Sequence, residues 1–120
     1  MMRFGLGLTL TAALLASPAF AQQWRAIPGA PAGSLSVDTS SIKRDGAWRV
    51  FRTRAIASKS SVMLGLMAAD CKAGVIEFRA QRAYKDGKLV KERTFPVAQR
   101  PKQKVANPSN DALLKLVCTG

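Results

Sequence analysis

Two cysteines, Cys71 and Cys118, constrain the fold of this chain more than any other sequence feature. If the protein is exported into an oxidising compartment, only one intramolecular pairing is possible, and we predict a Cys71–Cys118 disulfide. This bond would tie the middle of the chain to its end across a separation of 47 residues. In the chain-entropy model, closing such a loop stabilises a folded protein by about 4 kcal/mol.

The first 21 residues have the pattern of a secretory signal peptide. Arg3 provides the positive start, and residues 4–15 form an apolar segment that is too short to cross a bilayer. A small-x-small cleavage site, Ala19-Phe20-Ala21, follows Pro18. We therefore predict a signal peptide over residues 1–21 and an exported domain over residues 22–120.

The predicted mature chain is one strongly basic domain. Its 99 residues carry 18 Lys and Arg against 7 Asp and Glu, a net charge of +11. No apolar stretch in residues 22–120 approaches 18 residues, so we expect no membrane span.

Two Asp-Gly pairs indicate tight hairpin turns. Asp45-Gly46 joins residues 42–44 to a strand over residues 47–57, and Asp86-Gly87 joins strands over residues 75–85 and 88–95. A two-residue turn at Asp86-Gly87 pairs Lys85 with Lys88 and Tyr84 with Leu89. Regular pairing beyond that point predicts Arg82 opposite Lys91, Ala80 opposite Arg93, and Phe78 opposite Phe95.

The same pairing predicts a core face and a solvent face for this hairpin. The core face contains mostly apolar residues: Ile76, Phe78, Ala80, Tyr84, Leu89 and Phe95. The solvent face contains mostly charged and polar residues: Glu77, Arg79, Gln81, Lys85, Lys88, Glu92 and Thr94.

Shorter signals complete the predicted secondary structure. Residues 24–27 and 35–38 are candidate strands, and residues 96–106 form a loop rich in Pro and basic side chains. The apolar run over residues 61–70 fits a strand or a helix; its short length and its hairpin-rich neighbours favour the strand. A C-terminal helix follows, with Asn107 as N-cap before Pro108, or with Ser109 as a later cap.

An ordered set of short motifs in the mature chain resembles the surface-adhesin protein E-like domain family of Gram-negative bacteria. The matching residues are Trp24, Val37-Asp38-x-x-Ser41-Ile42, Asp70-Cys71, Tyr84-x-Asp86-Gly87, Val105-x-x-Pro108-Ser109 and Val117-Cys118. The resemblance implies an α+β fold, a roughly six-stranded antiparallel β-sheet with one short C-terminal helix tied to it by the cysteine pair. It also implies an adhesin, with host matrix or serum glycoproteins as ligands.

The chain departs from this family in its predicted anchor. The adhesin that names the family is attached to the outer surface through a lipidated cysteine at the first mature position. Here Gln22 follows the cleavage site, and the sequence has no lipobox cysteine. We therefore expect an exported protein of the periplasm, with surface display or secretion as the alternative.

The residue types argue against catalysis. The chain has no His, and a carboxylate such as Asp38 is a poor activator of a hydroxyl such as that of Ser41. We expect Asp38 and Ser41 to bond the local backbone in a turn. The two cysteines form no Cys-x-x-Cys motif, so we predict no catalytic residues, no metal site and no cofactor.

Positive charge is the property that points to a partner. Basic side chains concentrate in residues 49–54, in residues 100–104 and on the predicted hairpin, where we place a binding patch. Its members are Arg82, Lys85, Lys88, Lys91 and Arg93. Such a field attracts acidic polymers or acidic segments of host extracellular-matrix glycoproteins. Nucleic acid is the least expected partner, because an exported protein meets little of it. A structural or stress-related periplasmic protein that contacts envelope components is the alternative.

Overall fold

Seven antiparallel strands and one short helix make up the computed structural model, which describes residues 22–31 and 33–119. The strands are β1 (Trp24–Ala26), β2 (Ser36–Asp45), β3 (Trp48–Ser58), β4 (Ser61–Asp70), β5 (Val75–Lys85), β6 (Lys88–Thr94) and β7 (Lys102–Lys104). The helix, α1, spans Ala112–Cys118. Single turns of 3₁₀-helix occur at Val97–Gln99 and Pro108–Asn110. The predicted signal peptide lies outside the described residues.

The first six strands lie side by side in chain order, β1-β2-β3-β4-β5-β6, so each pairs with the one before it. Strand β7 pairs with the first residues of β5, on the side of β5 where β6 pairs with the last residues. The predicted antiparallel sheet with a C-terminal helix is therefore confirmed in outline. The prediction of a loop throughout residues 96–106 is wrong, because Lys102–Lys104 fills the part of the β5 edge that β6 leaves open.

The apolar run over residues 61–70 is strand β4, as predicted. It lies between β3 and β5 and pairs with both along most of its length. Met67 and Ala69 on β4 pack with Phe51 of β3 on the face that the helix covers. We call this side of the sheet the helix face. Burial on this face explains why a run of mixed propensity forms a strand.

Helix α1 begins later than either predicted cap. Asp111 is the N-cap, and its Oδ2 atom accepts a hydrogen bond from the Leu114 N–H at 3.0 Å. Asn107 and Pro108 instead begin the preceding 3₁₀ turn. The helix buries Leu113, Leu114 and Val117 against the sheet. No helix among the described residues is both long enough and apolar enough to cross a membrane.

The predicted disulfide is confirmed: Cys71 and Cys118 are bonded, with their Cα atoms 5.9 Å apart. It joins the last residue of α1 to the turn after β4. Arg49 reinforces this attachment, since its Nη1 atom donates to the Val117 carbonyl at 3.3 Å, near the negative end of the helix dipole.

Gly74 permits a close approach beside the disulfide. Its φ is +70°, and a Cβ atom at this position would lie 2.6 Å from Cγ of Pro108. A glycine therefore lets the turn after β4 pack against the segment that leads into α1. At the hairpin, Gly87 and Asp86 also have positive φ, at 78° and 51°, which suits the predicted two-residue turn.

We predict that the double variant Cys71→Ala/Cys118→Ala loses about 2–5 kcal/mol of unfolding free energy, as small exported domains do when a native disulfide is removed. Changing both residues avoids a free thiol that could form mixed disulfides. Urea unfolding followed by circular dichroism measures the loss. A double variant that unfolds at the wild-type urea concentration would show that packing alone holds the helix.

Candidate functional site

The β5–β6 hairpin departs from the predicted register after its first two residue pairs. Lys85 lies opposite Lys88, and Tyr84 lies opposite Leu89, as expected. A bulge then adds Val90 to β6, so that Ala83 faces Lys91 and Arg82 faces Glu92. The predicted pairs Arg82 with Lys91 and Ala80 with Arg93 are therefore wrong. Phe95 is also not opposite Phe78, because its N–H donates to the Arg79 carbonyl at 2.9 Å.

The bulge brings Lys91 and Arg93 to the face of Lys85 and Lys88 and leaves Arg82 on the other face. Arg93 pairs with Gln81, Gln81 pairs with Gly65, and Gly65 pairs with Thr53. Thr53 is two residues after Phe51 in β3, and Gly65 is two residues before Met67 in β4. Residues two apart in a strand point to the same side, so Arg93 lies on the helix face. The same alternation puts Lys91, Lys88 and Lys85 there. Arg82 pairs across from Leu64 and Glu92, on the face away from the helix.

Four of the five predicted patch residues therefore share one face, and we call them the hairpin cations: Lys85, Lys88, Lys91 and Arg93. All four are exposed. Among the described residues, none of their charged atoms lies within salt-bridge distance of a carboxylate. Arg82 differs, since its Nε atom lies 2.7 Å from Oε2 of Glu92. The hydrogen bond and the charge of Glu92 raise the pKa of Arg82, and the carboxylate offsets its positive charge.

The surface between the hairpin cations is shallow and partly apolar. Lys91 and Arg93 flank a depression lined by Met63, Gln81 and Ala83. Met63 is 44% exposed, because α1 covers the other end of the helix face and does not reach this one. The guanidinium of Arg93 also lies over the Phe95 ring, 5.6 Å from its centroid. The site is thus an open cationic surface at the hairpin end of the sheet.

The basic residues of β3 have roles within the fold. Arg49 caps α1, as described above. The Arg54 guanidinium stacks on Trp24, 4.5 Å from the ring centroid, which joins the edge strand β1 to β3. Arg52 lies opposite Asp38 of β2. Arg52 and Arg54 lie on the face away from the helix, and Arg49 lies at the end of the helix face that α1 covers, so none of the three joins the hairpin cations.

Two of the three basic residues of the 96–106 segment, Arg100 and Lys102, lie against Glu77, which was predicted to face solvent. Glu77 is only 3% exposed. Its carboxylate lies 2.9 Å from Nε of Arg79, 3.6 Å from Nη1 of Arg100 and 3.4 Å from Nζ of Lys102. Three cations thus compensate one buried carboxylate, and two of them, Arg100 and Lys102, hold the segment before α1 onto the sheet.

Arg79 was also predicted to face solvent, and its side chain is largely buried. Arg79 is two residues after Glu77 in β5, so its side chain points to the same side, where Nε donates to Glu77 Oε2. Its Nη1 atom reaches Oδ2 of Asp45 at 2.8 Å, although Asp45 is on β2, beyond β3 and β4. The sheet must curl towards this face to allow the contact. Burial alone would lower the pKa of Arg79, and hydrogen bonds to Asp45 and Glu77 raise it instead.

Asp38 and Ser41 bond the local backbone, as predicted, but within a strand irregularity and not a turn. Asp38 Oδ1 accepts from the backbone N–H groups of Gln23 and Ser40 and from the Ser40 hydroxyl, at 3.0, 3.1 and 2.6 Å. Ser41 donates to the Asp38 carbonyl and accepts from the Arg52 N–H. These hydrogen bonds take the place of backbone hydrogen bonds between β2 and β3 where the register of the two strands shifts.

Comparisons with known proteins do not extend this picture: no protein-family model, no curated protein and no solved structure matches the chain. The resemblance to the surface-adhesin protein E-like family therefore stays a prediction made from the residues. Within residues 22–31 and 33–119, no three His, Cys, Asp or Glu side chains are grouped so that they could hold a metal ion.

We predict that Glu77→Gln lowers the unfolding free energy by about 3–5 kcal/mol, because it leaves Arg79, Arg100 and Lys102 without their shared carboxylate. Glu92→Gln is the matched control, since its pair with Arg82 is half exposed and screened by solvent, and its loss should have little effect on stability. Urea unfolding of both variants gives the comparison. Equal losses would contradict a special role for the buried carboxylate.

Acid should remove the contribution of Asp38. Burial raises the pKa of Asp38, but hydrogen bonds from Ser40 and Gln23 and the charge of Arg52 outweigh this and lower the pKa below its ordinary value of 3.8. The stabilisation is therefore complete well above this value and is lost as the pH falls through the lowered pKa. We expect Asp38→Asn to cost about 1–3 kcal/mol at pH 7 and progressively less below pH ~4. A cost that stays constant down to pH ~2.5 would contradict this account.

Proposed function

We propose that this protein is an exported, non-catalytic binding module, adhesin-like in role, that holds acidic polymers or acidic segments of host matrix and serum glycoproteins. The observation that carries the proposal is the set of hairpin cations, which share one exposed face without carboxylate partners among the described residues. The class of ligand follows from this charge, and the host glycoproteins follow from the family resemblance.

The distribution of charge supports this choice of site over the other basic groups. Arg49 and Arg54 contact Val117 and Trp24, while Arg100 and Lys102 face Glu77. On the hairpin, neighbouring strands lie ~5 Å apart, so the fields of the four cations add. A flexible polyanion can bind such a surface by releasing counterions, without a shaped pocket.

Export and the absence of catalysis belong to the same proposal. The signal-peptide pattern and the Cys71–Cys118 disulfide support an oxidising compartment outside the cytoplasm. A chain without His has few groups suited to proton transfer near neutral pH, which supports binding over chemistry. The periplasm or the cell surface is the location that we propose.

Heparin is a practical probe, because it is a flexible, highly sulfated polymer. We expect residues 22–120 to bind immobilised heparin, with log affinity falling linearly with log salt concentration. Neutralising all four hairpin cations with Gln should weaken binding and flatten the salt slope by up to about four, since each cation that pairs with a sulfate adds about one to the slope. Replacing Arg82 and Glu92 together with Gln should change little, because their two charges already offset each other.

A matched control separates this face from net charge. Lys43, Arg44, Lys72 and Lys115 are four exposed cations away from the hairpin, and their replacement by Gln changes the net charge equally. This control should retain most of the heparin affinity. Equal weakening by both quadruple variants would show that net charge acts without a defined site. No retention of the wild-type protein at low salt would refute the proposal.

A further inference from the structure

On the side of β5 away from β4, the sheet ends with β6 and β7, and the outer edge of these two short strands is open. Strands β6 and β7 both pair with β5 there, and all ten of their residues are exposed. No other strand of the described residues pairs with β6 or β7. An open edge carries backbone N–H and C=O groups that can pair with a further strand.

The outward backbone groups of β6 can be assigned. The Phe95 N–H donates inwards to the Arg79 carbonyl, and inward and outward groups alternate along an antiparallel strand. Thr94 and Glu92 therefore direct their N–H and C=O groups away from β5. These two residues offer the hydrogen bonds that a segment added beside β6 would use.

The side chains of this edge determine what can be added. Lys88, Lys91 and Arg93 project to the helix face of β6, whereas Lys102 and Lys104 of β7 lie on the opposite face, where Lys102 faces Glu77. The one acidic residue of β6, Glu92, is paired with Arg82. Leu89 and Val90 are 48% and 62% exposed, so apolar surface is also available for an added segment to cover.

A second copy of this chain is a poor occupant of the edge. Edge-to-edge pairing of two β6 strands would bring their cations together, and like charges on facing strands destabilise a sheet. An extended segment with carboxylates at alternate positions would instead place opposite charges beside Lys88, Lys91 and Arg93. Charge thus rejects self-association and selects an acidic strand.

We propose that the β6 edge binds an extended acidic polypeptide segment as an additional β-strand. The segment forms backbone hydrogen bonds with Glu92 and Thr94, its carboxylates face the cations of β6, and its other side chains cover Leu89 and Val90. This proposal rests on the proposed function and deepens it. It names a polypeptide partner, recognised through the backbone as well as through charge, where the hairpin cations alone would accept any polyanion.

The probe is a synthetic ten-residue peptide of alternating Glu and Thr, added to residues 22–120. Amide hydrogen exchange of the wild-type protein is the first readout. We expect the peptide to slow the exchange of the Glu92 and Thr94 amides, which otherwise face solvent. Peptide binding that leaves both amides exchanging as in the free protein would overturn the proposal.

The variant Thr94→Pro gives the second readout. Proline removes an N–H that points away from β5, so the hairpin ladder keeps its bonds. We expect the peptide to bind Thr94→Pro about tenfold more weakly than wild type, and Thr94→Ala to bind it normally. Equal affinity for Thr94→Pro and wild type would overturn the proposal. If Thr94→Pro does not fold, as judged by circular dichroism, the exchange measurement decides.

Heparin distinguishes this inference from the proposed function. Heparin needs no backbone pairing, so Thr94→Pro should be retained as strongly as wild type. Heparin retention together with unprotected Glu92 and Thr94 amides would overturn only the strand addition. Loss of both heparin and peptide binding would overturn the proposed function as well.

Discussion

The disulfide between Cys71 and Cys118 determines which part of the sheet is covered and which part stays open. A helix of seven residues is too short to be stable alone, and the disulfide and the burial of Leu113, Leu114 and Val117 hold it in place. Because Cys71 lies in the turn after β4, the helix packs near that end of the sheet. The hairpin end of the same face is left open, and the hairpin cations lie there.

The few carboxylates of the chain explain why those cations are unpaired. Each of the seven has a place in the fold. Glu77 and Asp45 bind Arg79, Glu92 binds Arg82, Asp38 and Asp70 accept backbone N–H bonds, Asp111 caps α1, and Asp86 forms the hairpin turn. The remaining Lys and Arg side chains therefore lie on surfaces away from these contacts, and the bulge at Val90 brings four of them onto one face.

Local signals in the sequence predicted the turns, the strand over residues 61–70 and the cysteine pair, because each depends on nearby residues or on simple counting. The Asp86-Gly87 turn needs only a two-residue signal. Bulges at Val90 and Arg79 depend on packing across the sheet, and nothing in the sequence marks them. The one residue added at Val90 moves Lys91 and Arg93 to the face of Lys85 and Lys88, away from Arg82, and makes the predicted register wrong.

The burial of Glu77 was also beyond local reasoning. Its neighbours Ile76 and Phe78 predict an alternating strand, and alternation does not reveal that residues 100–102 return to cover the second face. One sequence feature could have indicated this burial: Glu77 is a lone acidic residue between two core residues, in a chain with few carboxylates and many cations. The cap at Asp111 was missed because Asn107-Pro108 offers an equally good local signal, which the chain uses for a 3₁₀ turn.

The Val90 bulge gathers Lys85, Lys88, Lys91 and Arg93 on one face, where we propose that polyanions bind, and leaves Arg82 out of it. Nuclear magnetic resonance titration of isotope-labelled residues 22–120 with a heparin tetrasaccharide tests it directly. We expect the side-chain signals of the four hairpin cations to shift together, while those of Arg82, Arg52 and Arg54 change little. Shifts that centre on Arg82, or on the arginines of β3, would contradict it.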